Sequence, residues 1–597
     1  MDLKVQSSVL KYFTKMFDRS SSVEPALKLL INKPLCPYKI PELMPLPRIT
    51  PEEAGIDSSY IAAFLNELTA ENTLDMHGVM IVKDGKIVCD AEFGAYKSCF
   101  WHAEHSLSKS VTSMAIGMLI DEKKLSLDDK VTKILEKKLP PIAQLTHKAI
   151  TVRHLLTMTS GVIFSESGAI VEENWLRSFF ESYLRTEPGK VFHYNSMNTF
   201  ILSCIVRELS GVGLREYLKP RLFDPLGITV MHWETAPDGN EIGGWGLYLR
   251  REDAAKLANL YLEDGMWNGR RIISAEWIKA STAAQIAVSG NTGDFDYGYQ
   301  IWSGRKTKSF LFNGMFGQDT ISFPDTKTIV VSNAGIEQIF QQSVYYDIVQ
   351  KYFSSPYYAD KPLKRSRKSQ KKLASALTAI SNTSAEKPAF LSPLKEKNLP
   401  DFLMDAMGKT FAVRKKNEKE IIKTTSITGT GNLGLLPLIE QIMRNRYTKG
   451  IVSFAFSRNR NGYDLNVTEG DKVCSLPFFP GRTLTTVLRL SDTEYHAAVA
   501  SEIAYDEDGR GVLKLRISFL EISGSRFIKI FFEKDSLEIK MKELPGMGLV
   551  KLAADTFGEN IKDKKAIADI VSKIDTDMLY CKLKNTIEPE IRLYCEK

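Results

Sequence analysis

The chain has only seven cysteines in 597 residues, at 36, 89, 99, 204, 474, 581 and 595. They are odd in number, widely scattered and without a C-x-x-C pair. That argues against a disulfide framework or a structural zinc site and predicts free thiols in a reducing compartment. Long hydrophobic runs are also missing: the longest, MAIGMLI at 114–120, is far short of the roughly 20 residues a bilayer span requires. The opening MDLKVQSSVLKYFTKMF offers no continuous apolar stretch for a secretory signal, so the expectation is a cytoplasmic protein with no membrane span. Excess charge is scarce as well. One segment, KPLKRSRKSQKK at 361–372, holds seven Lys or Arg and no acid, and it accounts for the whole formal charge of +7. With the remainder neutral there is no domain-wide basic face, and nucleic acid is not an expected partner. No H-E-x-x-H, no acidic cluster and no G-x-S-x-G elbow occur, so no metal is expected and no α/β-hydrolase site is indicated.

What is present is a chain too long for one core, for which two to four domains are expected. Apolar content of 43% and charged content of 25% suit a globular protein. Residues 1–50 read as a leader, a short amphipathic helix followed by the proline-rich KPLCPYKIPELMPLPRITPEEAG. Residues 51–357 mix helices and strands. HGVMIVKDGKIVCDAEF reads as a hairpin around Asp84-Gly85, and KSFLFNGMFGQDTISFPDTKTIVVSNAG as two or three strands before a helix near 338–352. Strands at both ends with helical sequence between them predict an α+β domain, an antiparallel sheet flanked by helices with an inserted helical part. Residues 358–398, rich in Lys, Ser, Ala and Pro, read as a linker. From 399 to 597 alternating runs such as GIVSFAFSR, HAAVASEIAY and GVLKLRISFLEI predict an antiparallel β-rich domain ending in helices.

Two nucleotide-type signals fail on context. GTGNLG at 429–434 matches G-x-G-x-x-G but precedes an antiparallel meander instead of a βαβ unit, and MGKT at 407–410 lacks the first P-loop glycine.

The chemistry centres on EHSLSKSVTSMAIGML, residues 104–119. Ser-x-x-Lys also occurs at Ser8/Lys11, Ser303/Lys306, Ser369/Lys372 and Ser392/Lys395, so spacing alone selects none. Only Ser106/Lys109 leads into a helix that is apolar nearly all round, as a buried helix is. One turn apart, the two side chains reach each other. The first turn offers unpaired N–H groups and the positive end of the helix dipole. Burial also lowers an amine's pKa, as a neutral lysine base requires. His102 and His105 flank this serine and read as packing or wall residues.

Four further stretches accompany it: ITVRHLLTMTSGV (150–162), EPGKVFHYNSMNTFILSCIVRELSG (187–211), GGWGLYLRREDAAKLANLYLEDGMWNGRRIIS (243–274) and DYGYQIW (296–302). Together these motifs resemble the serine β-lactamase-like superfamily, more closely its class C-type branch with family VIII esterases, D-aminopeptidases and 6-aminohexanoate-dimer hydrolases. The resemblance covers roughly residues 50–355. It implies a β-lactamase/transpeptidase-like fold, no cofactor, Ser106 as nucleophile and Lys109 as its proton acceptor. Tyr194 of Tyr194-Asn195-Ser196, following Pro188-Gly189, matches the catalytic tyrosine, a proton shuttle if the nearby cation favours its phenolate. Ser196 and Asn198 are implied hydrogen-bond holders of the site. Phe312-Asn313-Gly314-Met315 stands where the family has Lys-Thr-Gly or His-x-Gly, so the lysine that grips a substrate carboxylate is absent. Asn313 and Gly314 then border the substrate, and the backbone N–H groups of Ser106 and Met315 form the oxyanion hole. The expected activity is hydrolysis of a small ester or amide through an acyl-enzyme, or acyl transfer. The alternatives are a β-lactamase or D-alanyl peptidase of the same fold, and a non-catalytic sensor or scaffold. Trp233, Trp245, Tyr248 and the aromatics of DYGYQIW are candidates for an apolar pocket wall.

Overall fold

The structure is a computed structural model that describes residues 33–37, 43–289, 293–337, 343–381, 399–413, 433–460, 462–546 and 587–596. These fall into two compact units, 33–381 and 399–596.

The first unit is built on a seven-stranded antiparallel sheet. Its strands are β1 (Met76–Lys83), β2 (Lys86–Glu92), β3 (Phe295–Tyr297), β4 (Trp302–Gly304), β5 (Phe310–Gly314), β6 (Gln318–Phe323) and β7 (Thr328–Ala334). The sheet order is β2-β1-β7-β6-β5-β4-β3. The β1–β2 turn falls on Asp84 and Gly85, at φ 49° and 69°. Two successive positive φ values match the twist of a tight hairpin, and Asp-Gly supplies them at little cost.

Period-2 alternation sends each strand to both faces of the sheet. Leu311, Ile321 and Val330 join the core made by α1 (Ser58–Ala70), α5 (Val344–Phe353) and α6 (Arg367–Ser381). Phe310 and Phe312 instead meet Tyr261 on α4 (Arg251–Leu262), with ring centroids 5.8 and 5.2 Å apart. On that second side lie α2 (Ser108–Asp121), α3 (Ser196–Ser210) and shorter helices. In α2 every residue from Ser108 to Leu119 is buried, and Gly117 makes room for the Trp277 ring, which a Cβ would meet at 2.5 Å.

Two segments depart from the sequence reading. The expected linker does not begin at 358. The Ala359 and Leu363 N–H groups bond the Gly55 and Glu52 carbonyls at 2.9 and 2.8 Å, and α6 packs Ala376 and Ile380 into the core. Leu373, Ala376, Leu377 and Ile380 follow a helical i, i+3, i+4, i+7 stripe that the Lys- and Ser-rich composition conceals. All seven cations of 361–372 are exposed, with Arg365 paired to Glu53 at 3.3 Å. Residues 382–398 lie outside the described residues, as do residues 1–32, where the leader's short helix is expected. The proline-rich part of the leader is held: the Ile87 N–H bonds Pro47, Ile49 bonds Ile87, and Arg48 pairs with Glu252 at 2.7 Å.

The second unit is a ten-stranded antiparallel near-barrel. Its strands are β8 (Thr410–Ala412), β9 (Ile451–Asn459), β10 (Gly462–Glu469), β11 (Lys472–Phe478), β12 (Thr483–Leu490), β13 (Thr493–Tyr505), β14 (Gly511–Phe519), β15 (Ser525–Phe532), β16 (Ser536–Leu544) and β17 (Glu590–Cys595). The order β11-β10-β9-β8-β17-β16-β15-β14-β13-β12 leaves two end strands that are consecutive in the chain. Curling them together hides the edges an open meander exposes. The expected helical finish is corrected at 590–595, where β17 pairs with both β16 and β8. The sequence between, 547–586, lies outside the described residues, as do 429–432 of GTGNLG. Gly408 of MGKT takes φ 77° in a turn entering β8, with no helix after it.

Among the described residues no helix is long and apolar enough to cross a membrane, and six cysteines are free.

Candidate active site

The strand pair His102–Ala103 with Leu247–Leu249 delivers the chain to a 3₁₀ turn, His105–Leu107, which runs directly into α2. His105 takes φ 46°, sharply turning the backbone just before the serine. The Ser108 hydroxyl braces the turn by donating to the His105 carbonyl at 2.6 Å and accepting the Leu247 N–H at 3.2 Å. Ser106 is half-exposed while its neighbours on both sides are buried.

Lys109, one turn on, is 1% exposed. Its Nζ lies 2.8 Å from Ser106 Oγ and 2.8 Å from the Gly244 carbonyl. Burial brings the amine down from its ordinary value to about 7, against an opposing push from the Glu166 carboxylate. Close to neutrality this lysine therefore has a substantial unprotonated fraction, which a solvated lysine lacks.

Tyr194 comes from the loop that enters α3. Its hydroxyl hydrogen-bonds the Ser106 side chain. Lys109 Nζ lies 4.8 Å from its ring centroid, and Trp302 stacks on it at 5.9 Å. Desolvation holds the phenol well above its ordinary pKa; the bond to Ser106 lowers it only in part, and Glu166 raises it further. The sequence reading allowed a phenolate favoured by a cation. Burial of the phenol itself prevails here and favours its protonated form.

Asn195 caps α3 by accepting the Met197 N–H, and its amide donates to the Val162 and Phe164 carbonyls at 3.1 and 2.9 Å. Glu166 takes the Ser196 N–H at 2.7 Å. The loop at 162–166 is thus tied to the Tyr194 loop at two points.

The third element is β5. A Cβ on Gly314 would sit 2.2 Å from the Glu104 carbonyl oxygen and 2.8 Å from Gln318 Cβ, so only glycine lets this strand lie against the backbone leading to Ser106. Met315 follows at the start of the next turn. Gly314→Ala is expected to force the two segments apart and to reduce turnover by about 10²-fold, the cost of an ångström-scale misplacement. Rate assays paired with a thermal melt check this, since the loss of rate should exceed any loss of folded protein.

The structure thus gathers Ser106, Lys109 and Tyr194, with Gly314 and Met315 alongside. It does not bring every expected site residue to open space. Asn198 is 1% exposed and donates to the Asn195 carbonyl and Met158 sulfur, so it supports the Tyr194 loop from beneath. Ser196 is 4% exposed. Asn313 is half-buried and gives its amide to Asp319 at 2.6 Å. Phe312, in place of the family lysine, is buried against Tyr261. Trp233 and Tyr248 are core residues, bonding Trp245 O and Glu234; Trp245 is half-buried against Trp175. His102 is buried against His77 at 3.1 Å, and His105 meets Phe316 edge-on. Sequence reasoning missed Glu166 and the Gly244 carbonyl. Neither carries a local signal: one is a lone acid in a loop, the other a backbone atom far along the chain.

Residues 64–334 match the family model described as Beta-lactamase. This segment of the chain is similar to the serine β-lactamase-like superfamily. The chain is 28% identical over 175 residues to PbpX of Bacillus subtilis (strain 168), a penicillin-binding protein by name; the match covers 28% of this chain and 43% of that one. It is 24% identical over 261 residues to the 6-aminohexanoate-dimer hydrolase of Paenarthrobacter ureafaciens, covering 38% of this chain and 65% of that one. The chain therefore spans less than two thirds of the length of either relative. Among solved structures, EstCE1, a hydrolase with promiscuous acyltransferase activity, aligns with a TM-score of 0.43 at 16% identity, over 50% of this chain and 99% of that one.

Proposed function

We propose that the first unit is a serine hydrolase that cleaves a small ester or amide through an acyl-enzyme on Ser106. The observation that carries this reading is the buried Lys109 amine, brought to about 7, lying 2.8 Å from the half-exposed Ser106 hydroxyl. Ser106 Oγ attacks the carbonyl carbon while its proton passes to Lys109 Nζ. The carbonyl oxygen takes the negative charge, held by the Ser106 and Met315 N–H groups. The bond to the leaving group then breaks, and the leaving group takes a proton from the Tyr194 hydroxyl, which Lys109 replenishes. Water, giving its proton to the same pair, attacks the acyl carbon and releases the acid and Ser106. An alcohol or amine in place of water makes the step an acyl transfer. No part of this sequence calls for a metal or cofactor.

Short-chain p-nitrophenyl esters against a chromogenic cephalosporin, with Ser106→Ala as control, test the class. Ester turnover that vanishes in the control supports the proposal, and preference for the cephalosporin contradicts it. Phe312 in place of a carboxylate-gripping lysine favours the ester. Tyr194→Phe is expected to slow turnover by about 10²–10⁴-fold, the usual range for a lost proton-transfer group. A rate within a few-fold of the parent removes Tyr194 from the mechanism.

A further inference from the structure

The turns that carry Ser106 and Met315 are distant in sequence, yet a line of buried side chains joins them. Glu104, 1% exposed, precedes the serine by two residues, and its Oε1 accepts the Asn333 amide at 3.1 Å. Asn333 on β7 also donates to Gln318 Oε1 at 3.4 Å. Gln318 opens β6 and is fully buried. Its Nε2 donates to the Met315 carbonyl at 3.0 Å and the Ala334 carbonyl at 2.8 Å, while its Oε1 takes the Ala334 N–H at 3.2 Å. Both donors and both acceptor positions of this amide are thereby used. Gly314 is pressed between the same two residues, against the Glu104 carbonyl and the Gln318 side chain. Three buried polar groups cost more to desolvate than apolar ones of equal size and return the cost mainly in a single fixed geometry.

We propose that Glu104, Asn333 and Gln318 are positioning residues that lock the Met315 turn to the Ser106 turn and set the spacing of the two oxyanion-binding N–H groups. This rests on the acyl-enzyme reading above. Glu104 faces Asp319 from β6 and Arg251 from α4, with His102 and His105 on its own segment. Burial brings its carboxyl up to about 8; the Asn333 bond and Arg251 oppose that rise and Asp319 adds to it. Burial likewise brings Asp319 up to about 7. A neutral Glu104 sets no charge against the forming oxyanion; an ionised one opposes it.

The test uses the full chain and a short-chain p-nitrophenyl ester. Gln318→Leu should lower kcat by about 10²-fold with KM changed by less than about twofold, because the contact acts on the transition state. Glu104→Gln, close in shape and free of charge, should raise the ratio of kcat/KM at pH 9 to that at pH 7 above the parent's. A folded Gln318→Leu with the parent's kcat, or a Glu104→Gln with the parent's ratio, overturns the proposal. Ser106→Ala in the same assay separates the two claims: if it remains active the acyl-enzyme reading has failed, and if it is dead the outcome concerns the lock alone.

Discussion

Ser106→Ala is expected to lower ester or amide turnover by at least about 10⁴-fold, leaving only the background that binding and polarisation of the carbonyl provide. The reasoning is geometric. The hydroxyl hydrogen-bonds both the Lys109 amine and the Tyr194 phenol, and it is half-exposed. No second nucleophile stands ready to replace it, because Tyr194 is held as a phenol and Lys109 is 1% exposed. The substitution removes one oxygen from a partly open position, so the melting temperature should scarcely move. Steady-state rates on purified protein, with the melt as control, decide it.

Lys109→Met is expected to cost a comparable factor, about 10⁴-fold, because the nucleophile then has no base. Its companion is a pH profile. Activity needs the unprotonated amine, so kcat/KM of the parent should rise with pH through about 7. The stability consequence has a definite sign. The folded pKa lies below the ordinary lysine value, so between about 7 and the ordinary value the unfolded chain binds more protons. Stability should therefore rise with pH across that window, and below about 7 the buried amine carries its full penalty. Lys109→Met removes that penalty, so chemical denaturation at pH 6 should show a variant more stable than the parent though inactive. Such an exchange of stability for reactivity is expected where a charge-bearing group is buried for chemistry.

The sequence made much of this site legible, for physical reasons. A serine one helical turn from a lysine and followed by an all-round apolar helix is a local pattern, and locality is what a single sequence expresses best. The Asp84-Gly85 hairpin was readable on the same ground, since two positive φ values leave few residue choices. Tyr194 and Gly314 needed the superfamily resemblance, because a lone tyrosine or glycine has no distinguishing neighbourhood. Glu166, the Gly244 carbonyl and the Glu104–Asn333–Gln318 line were not legible. Each acts through a contact between residues far apart in the chain, and nothing in the local pattern marks it. Whether a cation would favour the Tyr194 phenolate was not legible for the same reason, as it depends on how deeply the phenol itself is buried.

Composition misled at the first unit's end. Lys and Ser in 361–372 suggested a tether, whereas the four apolar positions beyond Lys372 anchor α6 on α1 and β2. In the second unit the alternating runs were clear, but β17 was not. A strand that returns from far along the chain to complete a near-barrel is specified by its partners, β8 and β16, more than by its own six residues.

The most direct measurement is fluorophosphonate labelling of the intact protein across pH 5 to 9, with the adduct mapped by mass spectrometry. The account predicts a single adduct on Ser106, a labelling rate that climbs through about 7, and no labelling of Lys109→Met. An adduct on another residue, or labelling of Ser106 that is indifferent to both pH and Lys109, contradicts it.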